Sequence, residues 1–330
     1  MRRLFQLAVM AALVAGVYFF FQHFEIVGLD QVSVRRKTLS ATPVSVASGG
    51  LAPAVGLVGD TIRIASFNIQ VFGDSKASKP QVMEVLAEVV RRFDVVAIQE
   101  IRAKNQQLLP AFVDRINATG RHYDYVIGRR EGRTSSKEQY AFVFDTASIE
   151  VDRGATYSIE DPSDFLHRPP LVSAFRARGP PTDQAFTFSL INIHTDPDET
   201  DQELDALDDV FREVMGDGRG EDDVILLGDL NVDDEHLGEL GEVPGAAWMI
   251  SGVATNTRGT KLYDNIVYRP RSTTEFTGRA GVFDLMREFN LTMEQALQVS
   301  DHLPVWAEFS AYENGPSGRV AAQPDEPAVR

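Results

Sequence analysis

VILLGDLN, residues Val224–Asn231, joins a short apolar run to two polar side chains. Four consecutive apolar residues are too few for a helical pattern, and they predict a β-strand buried on both faces that ends at Gly228. Asp229 and Asn231 follow, and in extended backbone residues i and i+2 point to the same side. A carboxylate oxygen and an amide oxygen thus converge, which suits a hard cation such as Mg²⁺. An Asx-rich turn explains the octapeptide alone equally well, so the rest of the chain must decide.

Composition excludes several classes of protein. The chain has 330 residues, a formal net charge of −16 and no cysteine. The acidic balance argues against a protein that holds nucleic acid through a basic surface alone, although a metal-assisted enzyme acting on a polyanion stays open. The absence of cysteine rules out disulfides, thiolate metal sites and cysteine nucleophiles. Any metal must therefore be held by oxygen and imidazole.

The N-terminal residues 1–24 predict a membrane anchor or a signal segment. Arg2 and Arg3 precede an apolar run over Leu4–Phe21, and no small-residue cleavage pattern follows. We favour an uncleaved anchor, and the two arginines then place the bulk of the chain outside the cytoplasm. The basic residues Arg35–Lys37 on the far side argue against this orientation. If the segment is cleaved, the protein is expected to be secreted or periplasmic.

The remaining chain divides by composition. Residues 25–59 lack sustained periodicity and predict a linker, and residues 313–330 lack an apolar pattern and predict a disordered tail. Residues 60–312 remain as the folded domain. Many strands with few long crossovers predict an α+β sandwich of two packed sheets flanked by helices rather than a doubly wound sheet. Besides the central strand, we predict strands at Thr61–Gln70, Asp94–Glu100, Tyr123–Gly128, Tyr140–Asp145, Phe186–Ile193, Leu262–Tyr268 and Val305–Phe309, and helices at Pro80–Phe93, Gln106–Thr119 and Glu203–Met215.

Polar residues of metal-ligand or acid–base type recur where these apolar runs stop. They are Asn68, Glu100, His194, Asp229 with Asn231, Asp264, and Asp301 with His302. A single polar strand end is ordinary, but a whole set without lysine is difficult to attribute to solvated loops. If the strand ends meet at one rim, these groups form one pocket.

Six blocks in order carry a resemblance to a known family. They are SFNIQ (Ser66–Gln70), IQEIR (Ile98–Arg102), INIHTD (Ile191–Asp196), LLGDLN (Leu226–Asn231), YDNIVY (Tyr263–Tyr268) and SDHLPV (Ser300–Val305). Together they resemble the endonuclease/exonuclease/phosphatase superfamily, and their order and spacing are most similar to its DNase I-like members. The resemblance implies a four-layered α/β sandwich over residues 60–312 and Mg²⁺-dependent phosphodiester hydrolysis, with DNA as the favoured substrate. Mn²⁺ is an alternative ion, and a structural Ca²⁺ is compatible with it.

The resemblance also implies roles for individual residues. Glu100 and Asp301 would be the direct metal ligands, with Asn68 completing an oxygen-rich shell to which Asp229 and Asn231 contribute. His302 would be a general base oriented by Asp264, and His194 a second catalytic histidine paired with Glu138. Asp229 and Asn231 would also orient the water or steady the pentacoordinate phosphate. The remaining histidines, His23, His122, His167 and His236, are interpreted as ordinary loop residues.

Positive charge for the substrate is expected from a few residues. Arg102 matches a nucleic-acid-contacting arginine of the DNase I-like pattern, and Arg168 matches a phosphate-binding one. A planar guanidinium suits bidentate recognition of phosphate. Further candidates are Arg258 and Lys261 before Asp264, and a basic loop with Arg129, Arg130 and Arg133 that either contacts DNA or is simply solvated.

Departures from the pattern keep other functions open. Gln70 and Ser136 stand where DNase I-like enzymes carry an arginine and a tyrosine for the DNA minor groove, which puts duplex cleavage in more doubt than the phosphodiester chemistry. A lipid phosphodiesterase of the sphingomyelinase kind is the first alternative. It needs an exposed apolar hairpin, for which only Gly245–Val253 could serve, and that stretch is better explained as core. A non-catalytic, membrane-anchored binding protein is the second alternative.

Overall fold

A computed structural model describes residues 59–134 and 137–315. The predicted anchor, the linker up to residue 58, Ser136 and the tail beyond residue 315 lie outside the described residues. Within the described ranges, no helix is both long and apolar enough to cross a membrane.

Among the described residues, twelve strands form two six-stranded sheets. The first sheet has the order β11-β12-β1-β2-β4-β3, and the second has the order β5-β6-β7-β8-β10-β9. Their bounds are β1 Thr61–Phe72, β2 Val95–Ile101, β3 Tyr123–Ile127, β4 Gln139–Asp145, β5 Ile149–Ser158, β6 Leu171–Ala177, β7 Thr187–His194, β8 Val224–Asp229, β9 Ala247–Trp248, β10 Asp264–Tyr268, β11 Phe276–Val282 and β12 Val305–Ser310.

One parallel pair lies inside each otherwise antiparallel sheet. β1 and β2 are parallel in the first sheet, and β7 and β8 are parallel in the second, where His194 pairs with Asp229. The antiparallel neighbours of these pairs, β12, β4 and β10, therefore begin at the edge where the parallel strands end. This topology brings the polar strand ends of the sequence to a single rim.

Helices cover the outer faces of both sheets. The helices are α1 Asp74–Ala77, α2 Pro80–Val90, α3 Leu108–Asn117, α4 Thr200–Met215, α5 Gly238–Glu242, α6 Leu285–Phe289 and α7 Met293–Val299. Val89 and Phe112 join α2 and α3 to the outer face of the first sheet, while Leu204 and Phe211 join α4 to that of the second. A third apolar cluster, including Phe175 and Phe188, fills the space between the sheets. The predicted α+β, four-layered sandwich is confirmed.

Several details differ from the prediction. Gly228 does not end the central strand, because β8 continues to Asp229. An added Cβ at Gly228 would lie 1.9 Å from the carbonyl oxygen of Ile193, so glycine is required for the close approach of β7. The edge strands β5 and β11 were not predicted, because their half-exposed sequences IEVDRGATYS and FTGRAGV lack a clean alternation of apolar and polar residues.

Candidate active site

A cavity of about 360 Å³ opens at the rim where the central strands end. Its walls come from both sheets and from the loops that follow β2, β3, β5, β7, β8 and α7. It is lined by Glu100, Arg102, Thr134, His167, Arg168, His194, Asp196, Pro197, Asp229, Asn231 and His302. Seven of the residues singled out in the sequence thus face one small volume.

Backbone irregularities at the ends of β1 and β2 turn Glu100 into this cavity. Glu100 has φ +61°, and Gln70 and Val71 in the facing strand have φ +45° and +49°. The β1–β2 register shifts between Asn68 and Phe72, as expected for a bulge. The N–H of Val71 donates to Glu100 Oε2 at 2.7 Å. Strained backbone at two strand ends therefore holds one carboxylate in place.

Asn68 connects the two sheets beneath the cavity. Its amide donates to Glu100 Oε1 at 3.1 Å and to Asp229 Oδ2 at 2.9 Å, while its Oδ1 accepts the N–H of Gln70 at 2.9 Å. The side chain is fully buried. Asn68 consequently fixes the separation of two carboxylates that belong to different sheets, and a lone pair of its oxygen stays available to a ligand.

His302 is held by a buried carboxylate. Its Nδ1 lies 2.9 Å from Asp264 Oδ2, which also accepts the hydroxyl of Thr255 at 2.7 Å. Asp264 is fully buried, and His302 is 9% exposed. The Asp264 carboxylate fixes the orientation of the imidazole and leaves Nε2 to face the cavity.

His194 has a similar partner. Its Nδ1 lies 2.8 Å from Glu138 Oε1, and its backbone is held by the Tyr140 hydroxyl, which accepts the His194 N–H at 3.0 Å. Arg168 Nε lies 3.2 Å from the same Glu138 oxygen and donates to the His194 carbonyl at 3.0 Å. The second histidine is thus oriented by a carboxylate that a buried arginine stabilises.

The two histidines face one oxygen atom. Nε2 of His194 lies 3.5 Å, and Nε2 of His302 lies 3.4 Å, from Asp229 Oδ2. Burial by itself lowers the pKa of an imidazole, but the Asp229 and Asp264 carboxylates raise the pKa of His302 to about 11. Burial is likewise outweighed at His194, where Glu138 and Asp229 raise the pKa. Asp229 is therefore the centre of a symmetric pair of His–carboxylate dyads.

The donor set fits a hard divalent cation. Glu100 lies at the cavity wall, and Asp301 Oδ1 is buried without a hydrogen-bond partner among the described residues. Asp301 does not line the cavity itself, but its charge and that of Glu100 both act on the ammonium group of Lys76. Asn68 adds an amide oxygen. Carboxylate and amide oxygens are the ligands that Mg²⁺ prefers.

Lys76 is a member of the site that the sequence analysis missed. This residue of α1 is 8% exposed, and its ammonium donates to the carbonyls of Ile69 at 2.7 Å and Val299 at 2.8 Å. Burial lowers its pKa to about 8, against the opposing effect of the Glu100 and Asp301 carboxylates. Lys76 joins β1 to α7 and brings a positive charge close to two proposed metal ligands. In the sequence it lies in the helix DSKA, where nothing separates it from a surface lysine.

Glu203 of α4 is a second residue near the site that the sequence analysis did not single out. It is fully buried, and its carboxylate accepts the backbone N–H groups of His167 and of Asp196, the latter at 2.6 Å. The two loops that carry Arg168 and His194 are thereby tied together. His167, interpreted as an ordinary loop residue, lines the cavity, with Nδ1 3.4 Å from Asp196 Oδ2.

The arginines of the sequence analysis fall into two groups. Arg102 and Arg168 line the cavity, and Arg102 forms ion pairs with Glu100 at 3.1 Å and Glu138 at 3.5 Å. The arginines of the basic loop do not line the cavity. Arg129 and Arg133 form ion pairs with acidic residues, and Arg130 donates to backbone carbonyls. Arg258 and Lys261 are exposed on the loop before β10. Asn231 Nδ2 donates to the Thr195 carbonyl at 2.9 Å at the cavity wall.

Comparison with known proteins agrees with the family resemblance seen in the sequence. Residues 65–302 match the model of the "Endonuclease/Exonuclease/phosphatase family". Deoxyribonuclease gamma of Rattus norvegicus is 31% identical over 271 residues, covering 74% of this chain and 83% of the relative. Deoxyribonuclease-1-like 2 of Mus musculus is 33% identical over 276 residues, covering 78% and 96%.

Solved structures agree on the fold. A humanised TDP2 of D. rerio has a TM-score of 0.54 at 16% identity, covering 76% of this chain and all of that one. An endonuclease/exonuclease/phosphatase family protein from Bacteroides thetaiotaomicron has a TM-score of 0.51 at 19% identity, covering 75% and 97%. The chain belongs to the endonuclease/exonuclease/phosphatase family and is a DNase I-like member of it.

Proposed function

We propose that this protein is a divalent-metal-dependent phosphodiesterase that acts as an endonuclease on DNA. One observation carries the proposal: two buried His–carboxylate pairs face Asp229 Oδ2 from either side at 3.4 and 3.5 Å. Such an arrangement supplies one group that accepts a proton and another that donates one, which is what hydrolysis of a phosphodiester requires.

Glu100 and Asp301 would hold the ion, with the oxygen of Asn68 as a further ligand. Mg²⁺ is the ion we propose, and Mn²⁺ is the alternative, since both accept an oxygen donor set. When bound, the ion would stabilise negative charge on the phosphoryl oxygens. Lys76 limits the repulsion between the carboxylates that gather around the site.

The side chains divide the proton transfers. His302 accepts the proton of the attacking water at Nε2, and Asp264 stabilises the imidazolium that results. His194, protonated beside Glu138, donates from Nε2 to the leaving oxygen or to a phosphoryl oxygen. Asp229 lies between the two rings and orients the water, and Asn231 at the cavity wall steadies the pentacoordinate phosphate.

Two arginines are suited to the substrate phosphate. Arg168 Nη2 is buried and has no hydrogen-bond partner within the described ranges, although Nε of the same residue is used by Glu138 and His194. Its guanidinium is thus held rigidly with one donor left for a phosphate oxygen. Arg102, 31% exposed in its side chain, lines the cavity and pairs with the other Glu138 oxygen, Oε2, at 3.5 Å. DNA is proposed as substrate because relatives that match most of the chain are deoxyribonucleases.

A lipid substrate finds less support than DNA. The stretch Gly245–Val253 was the only candidate for an apolar membrane-contacting hairpin. Met249 and Ile250 are buried in the cluster between the sheets, and Ala247–Trp248 forms the edge strand β9. Val253 is exposed, at 42%. The other apolar side chains of the stretch, from Ala246 to Ile250, are buried or half-buried.

For the location, we propose a catalytic domain outside the cytoplasm, either anchored through residues 1–24 or released by cleavage. The proposal rests on the sequence Leu4–Phe21 and its preceding arginines alone. Alkaline extraction of membranes with an antibody to the catalytic domain tests it: an anchored chain stays in the pellet, and an intact chain recovered from the cytosol would refute the proposal.

The function is tested with the full chain on supercoiled plasmid DNA, RNA, sphingomyelin and a small phosphodiester, each with Mg²⁺, Mn²⁺ or EDTA. Plasmid nicking is expected with Mg²⁺ and not with EDTA, and it should be lost in His302→Ala. The matched control is His236→Ala, because His236 forms an exposed pair with Asp233 outside the cavity. Hydrolysis of sphingomyelin alone, or nicking that survives His302→Ala, would contradict the proposal.

A further inference from the structure

A second group of carboxylates lies at the opposite end of the sandwich. Asp223 immediately precedes β8, Glu275 precedes β11, and Glu313 follows β12. One oxygen atom from each lies within 4.8 Å of the others. Asp223 and Glu275 are only 1% and 2% exposed. Because β8 rises about 3.3 Å per residue, Asp223 is about 20 Å from Asp229 and has no part in the active site.

Buried oxygens in this cluster lack partners. Asp223 Oδ1, Glu275 Oε2 and the hydroxyl of Thr273 have no hydrogen-bond partner in the described part of the chain. Thr273 is 1% exposed and lies beside Asp223. No described lysine or arginine forms an ion pair with any of the three carboxylates. Burying charged oxygens without a counter-charge costs free energy, so a bound cation would stabilise this cluster.

The backbone holds these side chains from both sheets. The N–H of Asn314 donates to Glu275 Oε1, which leaves Oε2 unused. The N–H of Thr187, at the start of β7, donates to Glu313 Oε2 at 3.2 Å. The carbonyl of Asp223 accepts the N–H of Ser189 at 2.9 Å. Hydrogen bonds therefore hold the Glu275 and Glu313 carboxylates and the main chain of Asp223 in place.

We propose that Asp223, Glu275 and Glu313, with the Thr273 hydroxyl, bind a Ca²⁺ ion that fastens the two sheets at this end. Ca²⁺ accepts several oxygen ligands in flexible geometry, whereas Mg²⁺ demands a near-ideal octahedron and keeps its waters. Asp223 belongs to the second sheet, and Glu275 and Glu313 flank strands of the first, so the ion bridges them. Without an ion, burial and the neighbouring Glu275 carboxylate raise the pKa of Asp223 to about 9.

The test is thermal unfolding of the full chain with EDTA and with Ca²⁺ alone. All proteins carry Glu100→Gln, which removes a main ligand of the proposed catalytic ion so that only the second site is measured. Ca²⁺ at a hundred times its Kd is expected to raise the midpoint by about 5–10 °C. Glu275→Gln and Asp223→Asn should abolish this rise. In EDTA both should unfold at a higher temperature than their parent, because an ionisable carboxyl group in a buried acidic cluster is replaced by a neutral amide.

Glu239→Gln, at an exposed position of α5, is the matched control and should keep the full Ca²⁺ response. In the chain with Glu100 restored, Glu275→Gln should leave plasmid nicking in Mg²⁺ unchanged within twofold, so loss of this site is distinguishable from failure of the proposed nuclease. The proposal would be overturned if Ca²⁺ does not change the unfolding midpoint, or if Ca²⁺ still raises the midpoint in both Glu275→Gln and Asp223→Asn.

Discussion

Replacing Asp264 by asparagine separates the two contributions that this carboxylate makes to His302. The oxygen that faces His302 Nδ1 at 2.9 Å carries the charge, and both side chains are buried. Asparagine keeps the shape but loses the charge. A unit charge about 4 Å away is worth about 4 kcal/mol at an effective dielectric constant near 20, which corresponds to about three pKa units at most. Asp229 stays in place, so we expect a decrease of about 1–3 units.

The sign of this effect is fixed by the role of the histidine. A general base acts in its neutral form, and Asp264 raises the pKa of His302, so activity in the native enzyme should increase as the pH rises through that pKa. Asp264→Asn lowers the pKa and moves this limb of the pH–rate profile to lower pH. The rate on its plateau should nevertheless fall by about 10²–10⁴, because the imidazole loses the partner that orients it.

The assay is the initial rate of plasmid nicking with Mg²⁺ from pH 5 to pH 11, a range over which the parental rate should still be rising while that of Asp264→Asn reaches its plateau. The matched control is Asp208→Asn, which removes a buried carboxylate of α4 that is paired with Arg212 away from the cavity. Its profile should coincide with that of the parent. If the nicking rate of Asp264→Asn rises over the same pH range as that of the parent, whatever its maximum, the proposed coupling between Asp264 and His302 is refuted.

Three further changes test other parts of the site and the fold. Glu100→Gln should reduce nicking at least 10²-fold and weaken Mg²⁺ binding measured by calorimetry, because the main carboxylate ligand is lost; unaltered Mg²⁺ affinity would remove Glu100 from the ligand set. Arg168→Lys should lower kcat/KM about 10–10²-fold, since lysine lacks the planar guanidinium that binds Glu138 and a phosphate oxygen at the same time. A parental kcat/KM would contradict the proposed role of Arg168 in binding phosphate. Phe211→Ala should lower the free energy of unfolding by about 3–5 kcal/mol in urea titrations, because Phe211 is fully buried between α4 and the second sheet; a change below 1 kcal/mol would contradict the packing described.

Strand-end residues were predictable because their signal is local. An apolar run followed by Asn68, Glu100, His194 or Asp229 can be recognised from the sequence alone. The parallel pairs β1–β2 and β7–β8 then place those strand ends at one rim. The family resemblance supplied Glu138 and the pairing of Asp264 with His302, because the neighbouring sequence of neither carboxylate indicates its partner. The geometry of both His–carboxylate pairs agrees with that expectation.

Residues whose role depends on distant contacts were not predictable. Lys76 meets a carbonyl 223 positions away, and Glu203 ties together two loops through backbone N–H groups. Nothing in the neighbouring sequence distinguishes either from a surface charge. The positive φ of Glu100 arises from a bulge in the sheet, and no glycine or asparagine marks it. The edge strands β5 and β11 were missed because partial exposure erases the alternation on which strand prediction depends.

The central proposal is that residues from both sheets form one divalent-ion pocket. Anomalous diffraction from crystals soaked in Mn²⁺ tests it directly. We predict a peak within about 2.0–2.4 Å of a Glu100 carboxylate oxygen, at the wall of the cavity that His194 and His302 share. Absence of a peak there, or a peak bound only to residues outside that cavity, would contradict the account.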